Sequence, residues 1–100
     1  MSRQGGKKRV RSFLMFMFLT YILENSETHR HYVGSTNNLR RRLDEHNRGQ
    51  TKSTRQKGEW KVIYKEEYIS QIEAKKRELV IKSYKGGNAF KRLIAGIVHR

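Results

Sequence analysis

The chain has 100 residues, which is enough for one compact domain with one active site or binding face and too few for a second core. Its 23 lysines and arginines against 9 acidic residues give a net charge of +14, so we expect a polyanion as the partner. Cysteine is absent, which excludes disulfide frameworks, thiolate zinc sites and cysteine nucleophiles. These features are typical of a reducing compartment, and we expect a small soluble protein of the cytoplasm, with association with the nucleoid left open.

The first part of the chain is basic and has almost no apolar side chain. Residues 1–12 carry five positive charges and a glycine pair, which predicts a flexible arm ahead of a single domain over residues 13–100. Subtracting those five charges from +14 leaves +9 on the domain. The apolar run that follows residue 12, counted from Phe13 through Leu23 with Thr20 and Tyr21 interrupting it, is eleven residues long. This is about half of the ~20 residues that span a bilayer, and no small-residue cleavage site follows the run. We therefore expect a buried central strand and no membrane partner.

Two further segments have the pattern of strands. The segment His31–Ser35 is separated from the first strand by polar residues too numerous for a two-residue hairpin turn, which predicts an antiparallel pair joined by a loose loop. The segment Trp60–Tyr68 reads as the third strand, with Val62, Tyr64 and Tyr68 expected on one face and Ile63 on the other.

Three helices are predicted between and after these strands. The first runs from about Asn38 to Asn47, with Thr36 or Asn37 as its cap. A capping box at residues 70–73 opens the second, which extends to about residue 85, and Asn88 is expected to cap the third. The order strand, strand, helix, strand, helix, helix predicts an α/β fold of the α+β kind, a small three-stranded antiparallel sheet flanked by about three helices.

Polar residues of the first helix lie beside its apolar stripe. Arg42 and His46 flank the stripe of Leu39 and Leu43, and because they are four residues apart their guanidinium and imidazole can converge over the sheet. The alternative is that Arg42 is one of many surface cations and that His46 complements the helix dipole.

A carboxylate of the second helix has a comparable position. Glu78 lies next to the apolar side formed by Ala74 and Ile81, where a buried carboxylate costs free energy unless it is paired or metal-bound. A surface ion pair with Lys82 or Lys75 is the alternative.

Tyrosines occur on both of the first two strands. Tyr21 and Tyr32 are placed so that their phenols can point from adjacent strands toward one site. They can equally be ordinary strand aromatics.

Taken together, these positions resemble the GIY-YIG nuclease superfamily over roughly Phe16 to Leu93. The resemblance is carried by Thr20-Tyr-Ile-Leu23, Tyr32-Val-Gly34, Arg42-Leu-Asp-Glu-His46 and Ala74-Lys-Lys-Arg-Glu78, with Asn88 where the family often has a site asparagine. The pattern is similar to short stand-alone members and to the catalytic module of the excision-repair incision subunit. It departs from the family at Leu19 and Thr20, which replace the glycine and isoleucine of the first motif, and at Ser35, where some members have lysine.

The resemblance implies a metal-dependent endonuclease. Glu78 would hold one Mg²⁺ or Mn²⁺ as a Lewis acid at the scissile phosphate. Tyr21 would activate the attacking water, with Arg42 and the metal favouring its phenolate, and Arg42 would bind the phosphate. Tyr32 and His46 would complete the catalytic site by orienting water or assisting proton transfer.

The remaining expectations concern the substrate. DNA is the expected partner, with RNA left open, and so small a body favours recognition of branched, flapped or damaged structures over base sequence. The residues expected to contact nucleic acid are Arg42, Ser35, Lys52, Arg55, Lys57 and Asn88. A DNA- or RNA-binding module that does not cleave, or cleaves only with a partner, is the main alternative, and a basic structural protein is a third. Monomer and homodimer both remain open.

Overall fold

The architecture is described by a computed structural model over residues 17–55 and 57–96. The predicted arm at residues 1–12, the apolar residues 13–16 and the last four residues lie outside the described part. The elements, in chain order, are β1 (Phe18–Asn25), β2 (His31–Thr36), α1 (Leu39–Asn47), a 3₁₀ turn (Lys52–Thr54), β3 (Trp60–Tyr68), α2 (Gln71–Ser83) and α3 (Asn88–Ile94). The predicted α+β class, with a three-stranded antiparallel sheet and three helices, is confirmed.

The sheet is built around β1, which pairs antiparallel with β2 on one side and β3 on the other. Residues 20–23 of this strand are fully buried, which confirms the predicted central strand. Because side chains alternate along a strand, Tyr21 and Leu23 face one side of the sheet and Ile22 faces the other. A helix layer covers each side: α1 packs near Tyr21 and Leu23, while α2 and α3 pack on Ile22.

One irregularity changes the faces of β3. Ile22 pairs with Tyr64 and Leu23 pairs with Val62, so Ile63 is an extra residue in β3. Val62 therefore packs on the α1 side, whereas Tyr64 packs on the α2 side together with Ile63. The expectation that Val62 and Tyr64 share a face, opposite Ile63, was wrong because the bulge interrupts the two-residue period on which it rested.

The helix starts differ from the prediction at two of three caps. Asn38 caps α1, its Oδ1 accepting from the Arg41 amide at 3.1 Å, so neither Thr36 nor Asn37 is the cap. Gly87 precedes α3, and Asn88 is the first residue of the helix and not its cap. The cap of α2 is as predicted, since Ser70 Oγ accepts from the Glu73 amide at 3.1 Å.

Helix α2 is held on the sheet by polar contacts. The Thr20 hydroxyl donates to the Ala74 carbonyl at 2.7 Å, and Arg77 donates to both carboxylate oxygens of Glu66 on β3 at 2.9 and 3.1 Å. The Tyr64 and Tyr68 hydroxyls donate to the same carboxylate. Burial, followed by these bonds to Glu66, raises the pKa of each phenol to about 12, so both remain donors at neutral pH. The contacts fix the turn of the helix that immediately precedes Glu78.

The loop between α1 and β3 is tied to β3 and to the sheet. Asn47 at the end of α1 donates from Nδ2 to the Trp60 carbonyl and accepts the Trp60 amide at 2.7 Å. The Trp60 indole donates to the Thr54 carbonyl at 2.8 Å. The buried Asn25 Oδ1 accepts the amides of Glu27 and Thr28 close to Gly58. Thr54 is consequently held in place from its backbone.

Within the described ranges, no helix combines the length and apolar character needed to cross a membrane.

Two glycines with positive φ allow a matched stability test. Gly58 (φ 86°) and Gly86 (φ 73°) both adopt the left-handed region, but a Cβ at Gly58 would overlap the Asn25 amide oxygen, whereas at Gly86 nothing lies within 4 Å. We expect Gly86→Ala to lower the free energy of unfolding by ~1–2 kcal/mol from backbone strain. Gly58→Ala should cost at least ~1 kcal/mol more, because Asn25 must move off the amides it accepts. Urea denaturation measures both, and equal losses would contradict the assigned role of Asn25.

Candidate active site

The site begins where Tyr21 of β1 crosses Gly34 of β2. The two residues are cross-strand partners, and the Tyr21 phenol lies directly over the glycine. A Cβ at this position would lie 2.7 Å from the Tyr21 hydroxyl oxygen and 2.9 Å from Cε2 of Tyr32. The two phenol rings, 6.3 Å apart between centroids, can approach the strand only because residue 34 has no side chain. The predicted convergence of the two tyrosines is observed.

His46 of α1 joins the two phenols. It is buried, its ring centroid is 4.5 Å from that of Tyr32, and its Nε2 is 3.1 Å from the Tyr21 hydroxyl. Its Nδ1 is 2.8 Å from Thr54 Oγ1, and that hydroxyl donates its own proton to the Thr51 carbonyl at 3.2 Å. Because the Thr54 proton is used in this bond, we assign Thr54 Oγ1 as the acceptor from His46 Nδ1–H and Nε2 as the acceptor for the Tyr21 hydroxyl. The chain of bonds assigns the tautomer of the neutral imidazole.

The pKa shifts agree with this assignment. Burial, together with the charge of Arg42, lowers the pKa of His46 to about 4, so the ring is neutral at pH 7. Burial also raises the pKa of Tyr21 well above its usual value, and this effect exceeds the lowering by Arg42. Without a metal, Arg42 alone does not make Tyr21 a phenolate, because desolvation of the buried phenol outweighs the nearby cation. The expectation that Arg42 and a metal together favour the phenolate stays a prediction.

Arg42 lies at the rim of the same side, with about 30% of its side chain exposed. Its Nη1 donates to Glu45 at 2.8 Å, and this bond, with smaller contributions from the two phenols, raises the pKa of the guanidinium. The helical position predicted for Arg42 beside the buried stripe is observed, whereas Arg41 points outward. Arg42 therefore presents a permanent positive charge next to Tyr21 and Tyr32.

Glu78 lies on the other side of the sheet, on α2. Its side chain is 5% exposed, and it accepts a hydrogen bond from Ser35 Oγ at 2.8 Å. Lys82 Nζ is 2.6 Å from Oε2, and Lys75 Nζ is 3.4 Å from both carboxylate oxygens. Burial alone would raise the pKa of Glu78, but Lys82, Ser35 and Lys75 lower it overall, so the group is ionised. The two interpretations of Glu78 from the sequence, a buried carboxylate and an ion pair with Lys82 or Lys75, are therefore both observed.

The two halves of the site meet at β2, which is an edge strand. Gly34 faces the phenols while Ser35, the next residue, faces Glu78, as alternation along a strand requires. The charge of Glu78 contributes to the raised pKa of Tyr21, so the halves are within electrostatic reach of each other. A cleft of about 330 Å³ opens beside Ser35; it is lined by Phe18, Ser35, Thr36, Asn37, Gln71 and Ala74. A phosphodiester at this edge can meet groups from both sides.

The donors present can be compared with the metal that the family resemblance implies. In the described ranges no group of three or more His, Asp or Glu side chains is arranged to hold a metal. Glu78 supplies one carboxylate, which fits Mg²⁺, because this ion is commonly held by one or two carboxylates and completes its shell with water and phosphate oxygens. Both oxygens of Glu78 already have cationic neighbours, of which Lys82 is the closer. The residues fit a single Mg²⁺ or Mn²⁺ if Lys82 moves away.

Other residues predicted to contact nucleic acid are dispersed around this centre. Lys52, Arg55 and Lys57 are exposed on the loop that carries Thr54, with Arg55 donating to the Gly49 carbonyl at 2.8 Å. Asn88 is exposed at the first position of α3. Their contacts with nucleic acid stay predictions, as does that of Ser35, whose hydroxyl is engaged with Glu78.

Sequence reasoning missed Thr54, whose hydroxyl determines which of the two nitrogens of His46 carries the proton. It is a small polar residue in a polar loop, and no periodic pattern distinguishes it from its neighbours. The one available signal was Trp60 at the start of β3, because a buried indole needs an acceptor, here the Thr54 carbonyl.

Comparison with protein families agrees with this geometry. The family model described as the GIY-YIG catalytic domain matches residues 17–91. No curated protein and no solved structure matches the chain.

The tautomer assignment can be tested by NMR. We expect long-range ¹H–¹⁵N spectra to show His46 neutral, with Nδ1 protonated, until the pH approaches its pKa of about 4. Thr54→Val removes the oxygen that accepts from Nδ1 and should give a mixture of tautomers. Thr51→Val is the matched control, because Thr51 contributes its backbone carbonyl to the chain of bonds. An unchanged His46 signal in Thr54→Val would disprove the assignment.

Proposed function

The chain belongs to the GIY-YIG nuclease superfamily, and from this premise we propose that it is a divalent-metal-dependent endonuclease that hydrolyses phosphodiester bonds in DNA. The observation that carries the proposal is the series of hydrogen bonds from Tyr21 through His46 to Thr54. A buried phenol that donates to a neutral imidazole of defined tautomer is arranged for proton transfer.

Each residue of the site has a separate role in the proposed hydrolysis. Both pKa shifts keep the proton on Tyr21 in the free protein, so its transfer to Nε2 of His46 requires the charges of the bound phosphate and metal. Once that proton has moved, the phenolate oxygen can take a proton from an attacking water. Thr54 supports this transfer by keeping the proton of the imidazole on Nδ1. Arg42, permanently charged beside the phenols, binds the phosphate and stabilises the negative charge that develops on it. A divalent cation held by Glu78 supplies Lewis-acid polarisation of the phosphate.

The choice of DNA structure over base sequence is supported by size and by the position of the site. Among the described residues, the three helices serve to cover the sheet, and the candidate site is at an open edge of β2. The exposed cations of the loop after α1 suit contacts with backbone phosphates, which carry no sequence information. We therefore propose branched, flapped or damaged DNA as the preferred substrate.

The first test compares cleavage with binding. Single-turnover assays should use labelled duplex, single strand, flap, branched junction and matched RNA, with and without Mg²⁺ or Mn²⁺. We expect metal-dependent cleavage of DNA that falls by ~10²–10³-fold in Glu78→Gln, while DNA binding at fixed salt is retained. Glu73→Gln, which neutralises an exposed carboxylate of the same helix, should cleave like wild type. Binding by all three proteins without cleavage of any substrate would favour the binding-module alternative.

The second test concerns the phenol. Tyr21→Phe keeps the ring that packs in the core and removes the hydroxyl that donates to His46, so cleavage should fall by ~10²–10⁴-fold with little change in DNA affinity. Tyr68→Phe makes the same change on the α2 side of the sheet, where Arg77 still holds Glu66, and should retain activity. Full activity of Tyr21→Phe in the single-turnover assay would rule out the proposed proton path.

A further inference from the structure

We propose that the Lys82 ammonium is a resident cation on Glu78 that a divalent metal must displace, so that metal entry and Lys82 release are one competitive step. This inference rests on the proposed metal-dependent function. It concerns a residue that the proton path and the phosphate contact leave without a role.

The contacts around the carboxylate carry the inference. Lys82 Nζ lies 2.6 Å from Oε2, the shortest of the contacts to Glu78, while Ser35 donates to Oε1 at 2.8 Å. Lys75 is more distant, at 3.4 Å from both oxygens. Ser35 engages Oε1, and Lys75 is equally distant from both oxygens, so Oε2 is the oxygen that a metal would approach. Among the described residues, Lys82 is the cation in close contact with that oxygen.

The energetics explain why a cation is kept there. A carboxylate with 5% of its side chain exposed is strongly destabilising unless a counter-charge or hydrogen bonds compensate for its lost hydration. Lys82 supplies that charge in the metal-free protein, so folding does not depend on metal. An ammonium and a divalent ion cannot share one oxygen at contact distance, because their repulsion is large at short range.

The Lys82 side chain can also leave the carboxylate. Lys82 is 48% exposed, so its long side chain can swing its ammonium into water without exposing the core. Ser35 then still holds Oε1 and keeps the orientation of the carboxylate. The expected consequence is a metal site whose affinity is lower than that of the same carboxylate without its lysine.

Direct measurement of Mn²⁺ binding by electron paramagnetic resonance, without nucleic acid, tests this competition. We expect Lys82→Met to bind Mn²⁺ about tenfold more tightly than wild type, because the competing charge is gone. Lys76→Met removes the same charge from an exposed position of α2, where it forms no ion pair with any described residue, and should change affinity little. Lys82→Arg restores a cation and should return affinity toward that of wild type.

Thermal unfolding provides the second measurement. Without metal, Lys82→Met should unfold at a lower temperature than Lys76→Met, because Glu78 has lost its nearest counter-charge. Mn²⁺ should raise the unfolding temperature of Lys82→Met more than that of wild type. Mn²⁺ affinity in Lys82→Met equal to or weaker than in Lys76→Met would overturn the inference alone. Failure of both wild type and Lys82→Met to bind Mn²⁺ would overturn the inference and the proposed metal dependence together.

Discussion

The close contact between the Tyr21 phenol and the backbone at Gly34 is the constraint on which the rest of the site depends. It requires a residue without a side chain in an edge strand, and it fixes the side of the sheet to which both tyrosines point. Once that side is fixed, alternation places the next residue, Ser35, on the opposite side, where it holds Glu78. Two groups of polar side chains are thereby gathered around one strand by a single steric requirement.

Buried side chains form the centre of each group, Tyr21 and His46 on one side and Glu78 on the other, and they are hydrogen-bonded before any substrate is present. On the α1 side, burial keeps His46 neutral and Tyr21 protonated, and the hydrogen bonds to Thr54 and between the two rings satisfy them. On the α2 side, Glu78 is ionised, and its charge is balanced by lysines. A buried acid is compatible with stability here only because its partners come from its own helix and from β2.

Much of this arrangement follows from local pattern. Helical geometry predicts Arg42 and His46 beside the stripe of α1 and Glu78 beside the apolar side of α2, because those positions depend only on residues within one helix. The faces of Val62 and Tyr64 cannot be predicted in this way, because a bulge in one strand is set by its pairing with another strand. The protonation of Tyr21 is equally non-local: it depends on how deeply the phenol is buried, which no spacing reveals, and here burial prevails over the nearby arginine.

The free protein therefore has its acid–base groups in states that favour the fold over reaction. Tyr21 keeps its proton and donates a hydrogen bond to the neutral ring of His46, so this pair carries no net charge into the core. The carboxylate of Glu78 is paired with the ammonium of Lys82. An approaching phosphate changes this balance on the α1 side, because it offers Arg42 a second anion besides Glu45. Under the proposed mechanism, a divalent cation would change it on the α2 side by taking the place of Lys82. In this mechanism, the charges that activate the site arrive with the substrate and the metal, while Lys82 balances the charge of Glu78 in their absence.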